Sequence, residues 1–332
     1  MATPARAFVP PRSLTFRMVR EDAPGARWQS LVESSWPAYL AWFLREGDTA
    51  RPSYLECRSA LKRHMPELMD TYDALTALLG GGDVAARLLS LYKPTPYLTG
   101  CSQAVWLDPP ALVRNYDYSP MLCEGSLLRT EWHGRPVMAM SDCLWGALDG
   151  VNDAGLCVAL AFGGRKIVGD GFGIPLVLRY VLEFCSTTKE AVAALTRIPV
   201  HMAYNVTVVD EGGRFATVHL APDREPQVTN RRVATNHQGA IEWPEHASVT
   251  RTEEREHVVE AHVAGGSASL ADLVNAFLAP PIYSNAFDRG WGTLYSAAYI
   301  PETRSASFLW PHRRVVQALD YFVEQEIAVD YA

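Results

Sequence analysis

The chain changes character once, at Lys93-Pro94-Thr95-Pro96-Tyr97-Leu98-Thr99-Gly100. Proline removes a backbone donor and pushes the residue before it toward extended backbone, so this stretch cannot be helix interior. Before it, Trp28–Glu46, Ser53–Met65, Pro66–Leu79 and Val84–Tyr92 are rich in Leu, Ala, Trp and charge at helical spacing, with Gly80-Gly81-Gly82 as a break. After it come short β-type runs: Ala104–Leu107, Ala111–Asn115, Ser126–Trp132, Val137–Ser141 and Gly155–Ala161. The spacing predicts a mainly helical segment over 1–100 and a strand-rich segment over 101–332, together forming one globular unit.

Further on, Tyr204–Val209 and Arg214–Leu220 flank Asp210-Glu211-Gly212-Gly213, a hairpin pattern. Ile174–Phe184 and Thr188–Arg197 read as helices, the second with Thr187 and Glu190 placed as a capping box. Thr250–Val263 and Leu270–Leu278 make a later helical pair; Leu294–Ile300 and Ser305–Leu309 a second hairpin; His312–Glu326 a closing helix. No repeat is present. Strands and helix pairs in blocks, without strict alternation, argue for α+β.

Of the 332 residues, 48% are hydrophobic and 20% charged, so disorder and low complexity are excluded for the chain as a whole. Thirty basic against 37 acidic residues, a net charge of −7 and no basic block exclude a nucleic-acid binder and disfavour an anionic membrane surface. Met1–Arg20 holds Arg6, Pro10, Pro11, Arg12, Arg17 and Arg20 but no signal-peptide apolar run, and the longest useful apolar stretch, Leu156–Phe162, has seven residues. The expected location is the cytoplasm. Cys57, Cys101, Cys123, Cys143, Cys157 and Cys185 include no CxxC pair, which leaves a zinc ribbon or thioredoxin-type motif unsupported.

The residues that stand out chemically occur in order: Gly100-Cys101-Ser102-Gln103, Arg114-Asn115-Tyr116-Asp117, Asn152-Asp153-Ala154-Gly155-Leu156, Tyr204-Asn205, Thr235-Asn236-His237, then Ser248 and Arg251. Singly, each has an ordinary reading: a lone cysteine is most often a small buried hydrophobe, and Asn-Asp-x-Gly is a hairpin signal. The glycine before Cys101 leaves its carbonyl sterically open to a nucleophile.

In that order the set resembles the N-terminal-nucleophile (Ntn) hydrolases with a cysteine nucleophile, above all the isopenicillin-N acyltransferase-like autoproteolytic acyltransferases and hydrolases. Choloylglycine hydrolases and acid ceramidase look like more distant relatives. The match runs from about Met65 to about Pro311 and is most specific at Gly100-Cys101, Arg114–Asp117 and Thr235-Asn236-His237. The resemblance implies a four-layer αββα sandwich and self-cleavage. The Cys101 thiol attacks the Gly100 carbonyl, an N-to-S shift gives a thioester, and water releases the helical segment. Cys101 then carries a free α-amine, whose reference pKa of about 7.7–8.0 lets it serve as its own base.

By the same resemblance Asp117 accepts a hydrogen bond from that amine, Arg114 lowers the thiol pKa, and Asn236 donates its amide to the oxyanion. Arg251 matches the late family arginine, with Arg255 as the alternative. Two departures stand out. The Cys101–Arg114 interval of thirteen is short, implying a tighter hairpin. A second oxyanion asparagine of the bile-salt enzymes falls at Phe162, so a backbone N–H near Phe162 or Gly163 has to replace it. The implied substrate is a small-molecule, non-peptide amide with an apolar acyl group. Trp106, Tyr116, Tyr118, Trp132, Trp145 and Phe162 suit such a group and equally suit a core. Tyr116, Phe162, Asn205 and His237 are candidate pocket residues, Asn205 and His237 equally candidates for structural hydrogen bonding.

No cofactor or metal is called for. Gly169-Asp170-Gly171-Phe172-Gly173 lacks the Lys-Ser/Thr sequel of a phosphate loop and reads as a flexible loop near the site. His257 and His262, five apart, do not share a helix face. Two other classes stay open: a non-catalytic binding module on the same fold, and an uncut thiol peptidase with a Cys101–His237 pair. Association of the cleaved chains and a homo-oligomer are both compatible with the sequence.

Overall fold

Ser13–Glu21 alternates side chains across a strand, with Phe16 and Met18 turned inward and arginines between and after them. This is β1 in a computed structural model that describes residues 13–331; Arg6, Pro10, Pro11 and Arg12 of the amino-terminal reading lie outside the described residues. The first hundred residues are thus not helical throughout. The strand has no continuous apolar run to mark it, because Arg17 separates Phe16 from Met18.

The helices that follow are α1 (Ala26–Phe43), α2 (Tyr54–His64), α3 (Met69–Leu78) and α4 (Asp83–Ser90). The Glu21 carboxylate accepts the N–H groups of Arg27 (2.9 Å) and Trp28 (2.7 Å), satisfying orphan donors at the start of α1. Ser53 and Glu56 form a reciprocal capping box on α2. The linker from Lys93 then runs without regular structure to β2 (Gly100–Leu107), which turns at Asp108-Pro109 into β3 (Pro110–Tyr118). This two-residue turn is the tight hairpin that the short Cys101–Arg114 interval implied.

Next come β4 (Ser126–Thr130), β5 (Val137–Asp142), β6 (Gly146–Asn152), β7 (Cys157–Phe162), α5 (Ile174–Phe184) and α6 (Thr188–Arg197). They are followed by β8 (Tyr204–Val209), β9 (Phe215–Ala221), β10 (Arg224–Thr229), β11 (Val233–Ala234), α7 (Pro244–Thr250), α8 (Thr252–Ala261) and α9 (Leu270–Phe277). The chain closes with β12 (Gly292–Ile300), β13 (Ser305–Trp310), β14 (Arg313–Ala318) and β15 (Gln325–Asp330). At α6, Thr187 accepts the Glu190 N–H as expected, but the Glu190 carboxylate takes the Ser186 N–H, so the box is only half made.

The closing helix expected over His312–Glu326 is two strands instead. Helix-forming residues there lose to tertiary pairing, since β14 completes a hairpin on β13 and β15 pairs with β1. Gln317, buried between them, donates to the Val323 carbonyl and accepts the Val323 N–H, both at 2.8 Å, fixing the turn.

Two sheets result. One has the order β10-β9-β8-β7-β6-β5-β4-β1-β15, the other β11-β2-β3-β12-β13-β14. They face each other where β2 and β3 pack on β7 and β8; α5 and α6 cover the first sheet, α8 and α9 the second. This is an α+β, four-layer αββα sandwich. Among the described residues no helix is long and apolar enough to cross a membrane.

Strand β6 had no counterpart among the expected runs because its two glycines look like turn residues. They serve close packing: a Cβ on Gly146 would lie 2.4 Å from Pro175 Cβ, and one on Gly150 would lie 2.9 Å from Leu182. Helix α5 sits directly on this strand. Gly146→Val is therefore expected to cost about 1–3 kcal/mol or more through overpacking, read as a lower urea midpoint at unchanged slope.

Candidate active site

Strands β2 and β3 set the site. Their register places Gly100 opposite Asp117, Cys101 opposite Tyr116, Ser102 opposite Asn115 and Gln103 opposite Arg114. Side chains alternate across a strand, so Cys101, Arg114 and Tyr116 face the space between the sheets while Asp117 faces the α8–α9 layer.

Cys101 is fully buried. Arg114 Nη2 donates to its sulfur at 3.2 Å, and its thiol lies 3.8 Å from Thr99 Oγ1. Burial pushes the thiol pKa up, and the Arg114 charge pulls it back. Arg114 is held in turn by Asp149 of β6, with which it forms a fully buried ion pair, and by the Leu148 carbonyl at 3.0 Å. Burial disfavours the charged guanidinium, yet Tyr295, Asp149 and Cys101 together keep its pKa above the usual arginine value. Asp149 also accepts from the hydroxyls of Tyr295 (2.5 Å) and Tyr299. Sequence reasoning missed Asp149; an aspartate in a glycine-flanked run carries no signal of a partner in another sheet.

Asn236 is the second anchor. Its Oδ1 accepts the Cys101 N–H at 3.0 Å and Arg255 Nη2 at 2.6 Å; its Nδ2 donates to the Phe162 carbonyl (3.0 Å) and the Thr99 carbonyl (3.4 Å). Asn205 fixes the segment by donating to the carbonyls on both sides of it, those of Thr235 and His237, each at 2.9 Å. Asn205 thus positions Asn236 through the backbone. His237 has both ring nitrogens occupied, Nε2 by Glu256 at 3.0 Å and Nδ1 by Thr252 at 3.0 Å. The expected backbone donor at Gly163 is also spent, on the Ala203 carbonyl at 2.8 Å. Phe162 packs edge-on against Trp243 and His246 and enters the site through its carbonyl.

The two candidate arginines are placed differently. Arg251 sits in the left-handed region (φ 52°) between α7 and α8, more than half exposed, and pairs with Glu254. Arg255, one turn later, is buried. It donates to the carbonyls of Thr250 (2.7 Å) and Cys101 (2.7 Å), to Ser102 Oγ (2.8 Å) and to Asn236, and lies 3.6 Å from Asp117 Oδ2. A continuous helix over Thr250–Val263 would have put both arginines on one face; the break at Arg251 turns it outward.

Asp117 Oδ1 accepts from Thr293 at 2.6 Å, whereas Oδ2, fully buried, has no hydrogen-bond partner among the described residues. Burial raises the pKa of this carboxyl; Arg255 and the Thr293 hydrogen bond oppose the rise. A Cβ on Gly100 would fall 3.1 Å from Asp117 Cβ and 3.4 Å from the Trp291 ring, so glycine is what lets the carboxylate lie against the Gly100–Cys101 bond. A cavity of about 230 Å³ reaches Asp117 and Arg255 from the α7–α9 side.

Of the six aromatics singled out, Tyr118 lines a larger cavity, described below, while Trp145 is wholly core and bonds the Leu89 carbonyl. The Gly169–Gly173 loop clasps the start of the linker: Lys93 pairs with Asp170 at 2.7 Å, and Gly173 N–H donates to Leu91. Among the described residues no group of three or more His, Cys, Asp or Glu side chains is placed to hold a metal.

The fold is similar to a mutant conjugated bile acid hydrolase from Clostridium perfringens (12% identity, 68% of this chain and 96% of that one, TM-score 0.47). It is also similar to a Caenorhabditis elegans N-acylethanolamine-hydrolyzing acid amidase ortholog (16%, 70% and 100%, 0.46) and to penicillin V acylase from Agrobacterium tumefaciens (14%, 69% and 91%, 0.46). No curated protein matches by sequence. The family model of acyl-coenzyme A:6-aminopenicillanic acid acyl-transferase matches residues 107–314, well over half of the sequence, and the chain belongs to that family.

Proposed function

We propose that this protein is a self-processing cysteine amidohydrolase or acyltransferase acting on a non-peptide amide bond through a Cys101 thioester. The observation that carries the reading is the buried Asp117 Oδ2 beside Gly100, which faces Arg255 but has no hydrogen-bond partner among the described residues, on a strand where Arg114 contacts the Cys101 sulfur. A buried carboxylate oxygen without a partner is costly unless something arrives to pair with it. An α-ammonium formed at Cys101 is such a group.

In the first reaction the Cys101 sulfur bonds the Gly100 carbonyl carbon, the Gly100–Cys101 C–N bond breaks, and the nitrogen takes a proton. Water then cleaves the thioester, leaving residues 1–100 ending in a carboxylate and 101–332 beginning with a free amine. Asn236 Nδ2 loses its Thr99 partner when the new Thr99–Gly100 chain end moves aside, which frees a donor for the oxyanion of later turnovers. The amine then serves as general base for the thiol. Arg255 holds Asn236 and Asp117 in register. The acyl group of the substrate, apolar next to the thiol, passes to water or to a second amine. His237, already bonded through both ring nitrogens, is not available to Cys101, which disfavours the thiol-peptidase alternative.

Intact mass of the purified wild type beside Cys101→Ala tests this. Two pieces from wild type, the larger beginning at Cys101, and one from the variant are expected. A wild type that stays whole and leaves Cys101 unlabelled by a thiol-reactive amide probe would overturn the proposal in favour of a binding module.

A further inference from the structure

A cavity of about 370 Å³ lies between α1, β1, the linker and the β5–β6 turn, lined among others by Tyr39, Trp42, Tyr97, Tyr118, Glu124 and Asp142. Tyr118 carries on the inward row of β3 from Arg114 through Tyr116, whose ring packs tilted against that of Tyr118 at 5.7 Å. The cavity therefore begins two tyrosines from the Cys101 sulfur.

Its polar wall is unusual. The Tyr39 hydroxyl donates to Glu124 Oε1 at 2.5 Å, accepts the Cys143 N–H at 2.9 Å and touches Asp142 Oδ1 at 3.1 Å. One phenol has one proton to give, so two ionised carboxylates cannot both be satisfied by it. The turn presenting Asp142 is strained, with Cys143 (φ 54°) and Leu144 (φ 76°) both in the left-handed region, and its N–H groups are bound by Tyr39 and Glu124. Strain of this kind in consecutive non-glycine residues gathers where a site fixes its geometry. Tyr116 and Tyr204, both at least 99% buried, have hydroxyls with no partner among the described residues, and Asp142 is among the charges acting on each. Aromatic rings make up another part of the wall, with Trp42 edge-to-face against Tyr39 (5.9 Å) and Tyr97 (6.1 Å). Arg17, the cation on the cavity rim, is turned to Glu326 at 3.3 Å.

We propose that this cavity holds the cationic end of the amide substrate, an alkylammonium group seated between the Glu124 and Asp142 carboxylates and the rings of Tyr39, Trp42 and Tyr97. Carboxylates supply the counter-charge, and aromatic faces attract a cation through their quadrupoles. The inference rests on Cys101 being the acyl-transfer nucleophile, since that makes the cavity the far end of the acyl site. Burial, then the neighbouring Glu124, raises Asp142 to about 7. The titratable groups around the pair are Tyr39 from α1, Tyr97, Tyr118, Cys123 and Cys143 in the lining and Tyr116 and Tyr204 behind it, none of them charged at neutral pH, with Arg17 paired away. A bound cation thus gains as pH rises through 7 and Asp142 ionises.

The test is calorimetric titration of full-length Cys101→Ala protein with choline and with its neutral isostere 3,3-dimethylbutan-1-ol, at pH 6 and pH 8. Choline is expected to bind about tenfold or more tightly than the isostere, more tightly at pH 8, and to lose that preference in Asp142→Asn. Trp42→Leu, on a different element, should lose it as well, which covers a failure of the first variant to fold. Equal binding of choline and isostere, or binding of neither by the folded protein, overturns the subsite. Because binding is read on a chain that cannot cut itself, that outcome is separate from loss of wild-type processing.

Discussion

Arg255→Leu should lower stability by about 3–5 kcal/mol and abolish processing, whereas Arg251→Leu should stay within about 0.5 kcal/mol of wild type and process normally. The contrast follows from their surroundings. Arg255 satisfies Thr250, Cys101, Ser102 and Asn236 from inside the protein and faces the half-satisfied Asp117. Removing it leaves several buried acceptors unpaired, each costing about 1–3 kcal/mol, and an aspartate with no countercharge. It also frees the Asn236 carboxamide, which then no longer holds the Cys101 N–H. Arg251 contributes an exposed pair with Glu254, of a type worth little in water. Denaturant midpoints and intact masses of the two variants decide the matter; equal behaviour would return the late arginine to Arg251.

Asp149→Leu is the second large effect. It leaves the Arg114 guanidinium without its counter-ion and two tyrosine hydroxyls without an acceptor, all fully buried, with an expected cost of about 3–5 kcal/mol. Replacing both partners, Arg114→Met with Asp149→Leu, should recover much of that loss, because two apolar groups leave no orphan charge. Function should not recover with it. Without Arg114, burial loses its strongest opponent at the Cys101 thiol, leaving only Thr99 and Arg255 against it, and the pKa rises further. Processing of the double variant should therefore be slow and shifted to higher pH. Recovery of processing together with stability would show that Arg114 only supports the fold.

The local elements were largely legible. Helices α5 and α6 and the β8–β9 and β12–β13 hairpins lie within two residues of their expected bounds, because periodicity, caps and turn residues are local signals. What escaped was set by distant partners. β1 and β15 exist because they pair with each other across some three hundred residues, and β6 because a helix leans on its glycines. At the site, the order of motifs led to Cys101, Arg114, Asp117 and Asn236, which the structure brings together. It could not distinguish Arg255 from Arg251, since one left-handed residue decides which points inward. Nor could it find Asp149, Tyr295 or Tyr299, whose partners come from other strands.

Strand β1 lies inside its sheet, parallel to β4 on one side and antiparallel to β15 on the other. A cut after Gly100 would leave that strand in one polypeptide and both neighbours in the other. Before the cut, the tether keeps strand and slot at an effective concentration in the millimolar range, and folding is unimolecular. Afterwards the same assembly, once taken apart, would have to form by encounter of two chains at their bulk concentration. The mature protein would then be durable without being refoldable: its persistence would rest on the height of the barrier to separation, and heating would inactivate it at a scan-rate-dependent temperature.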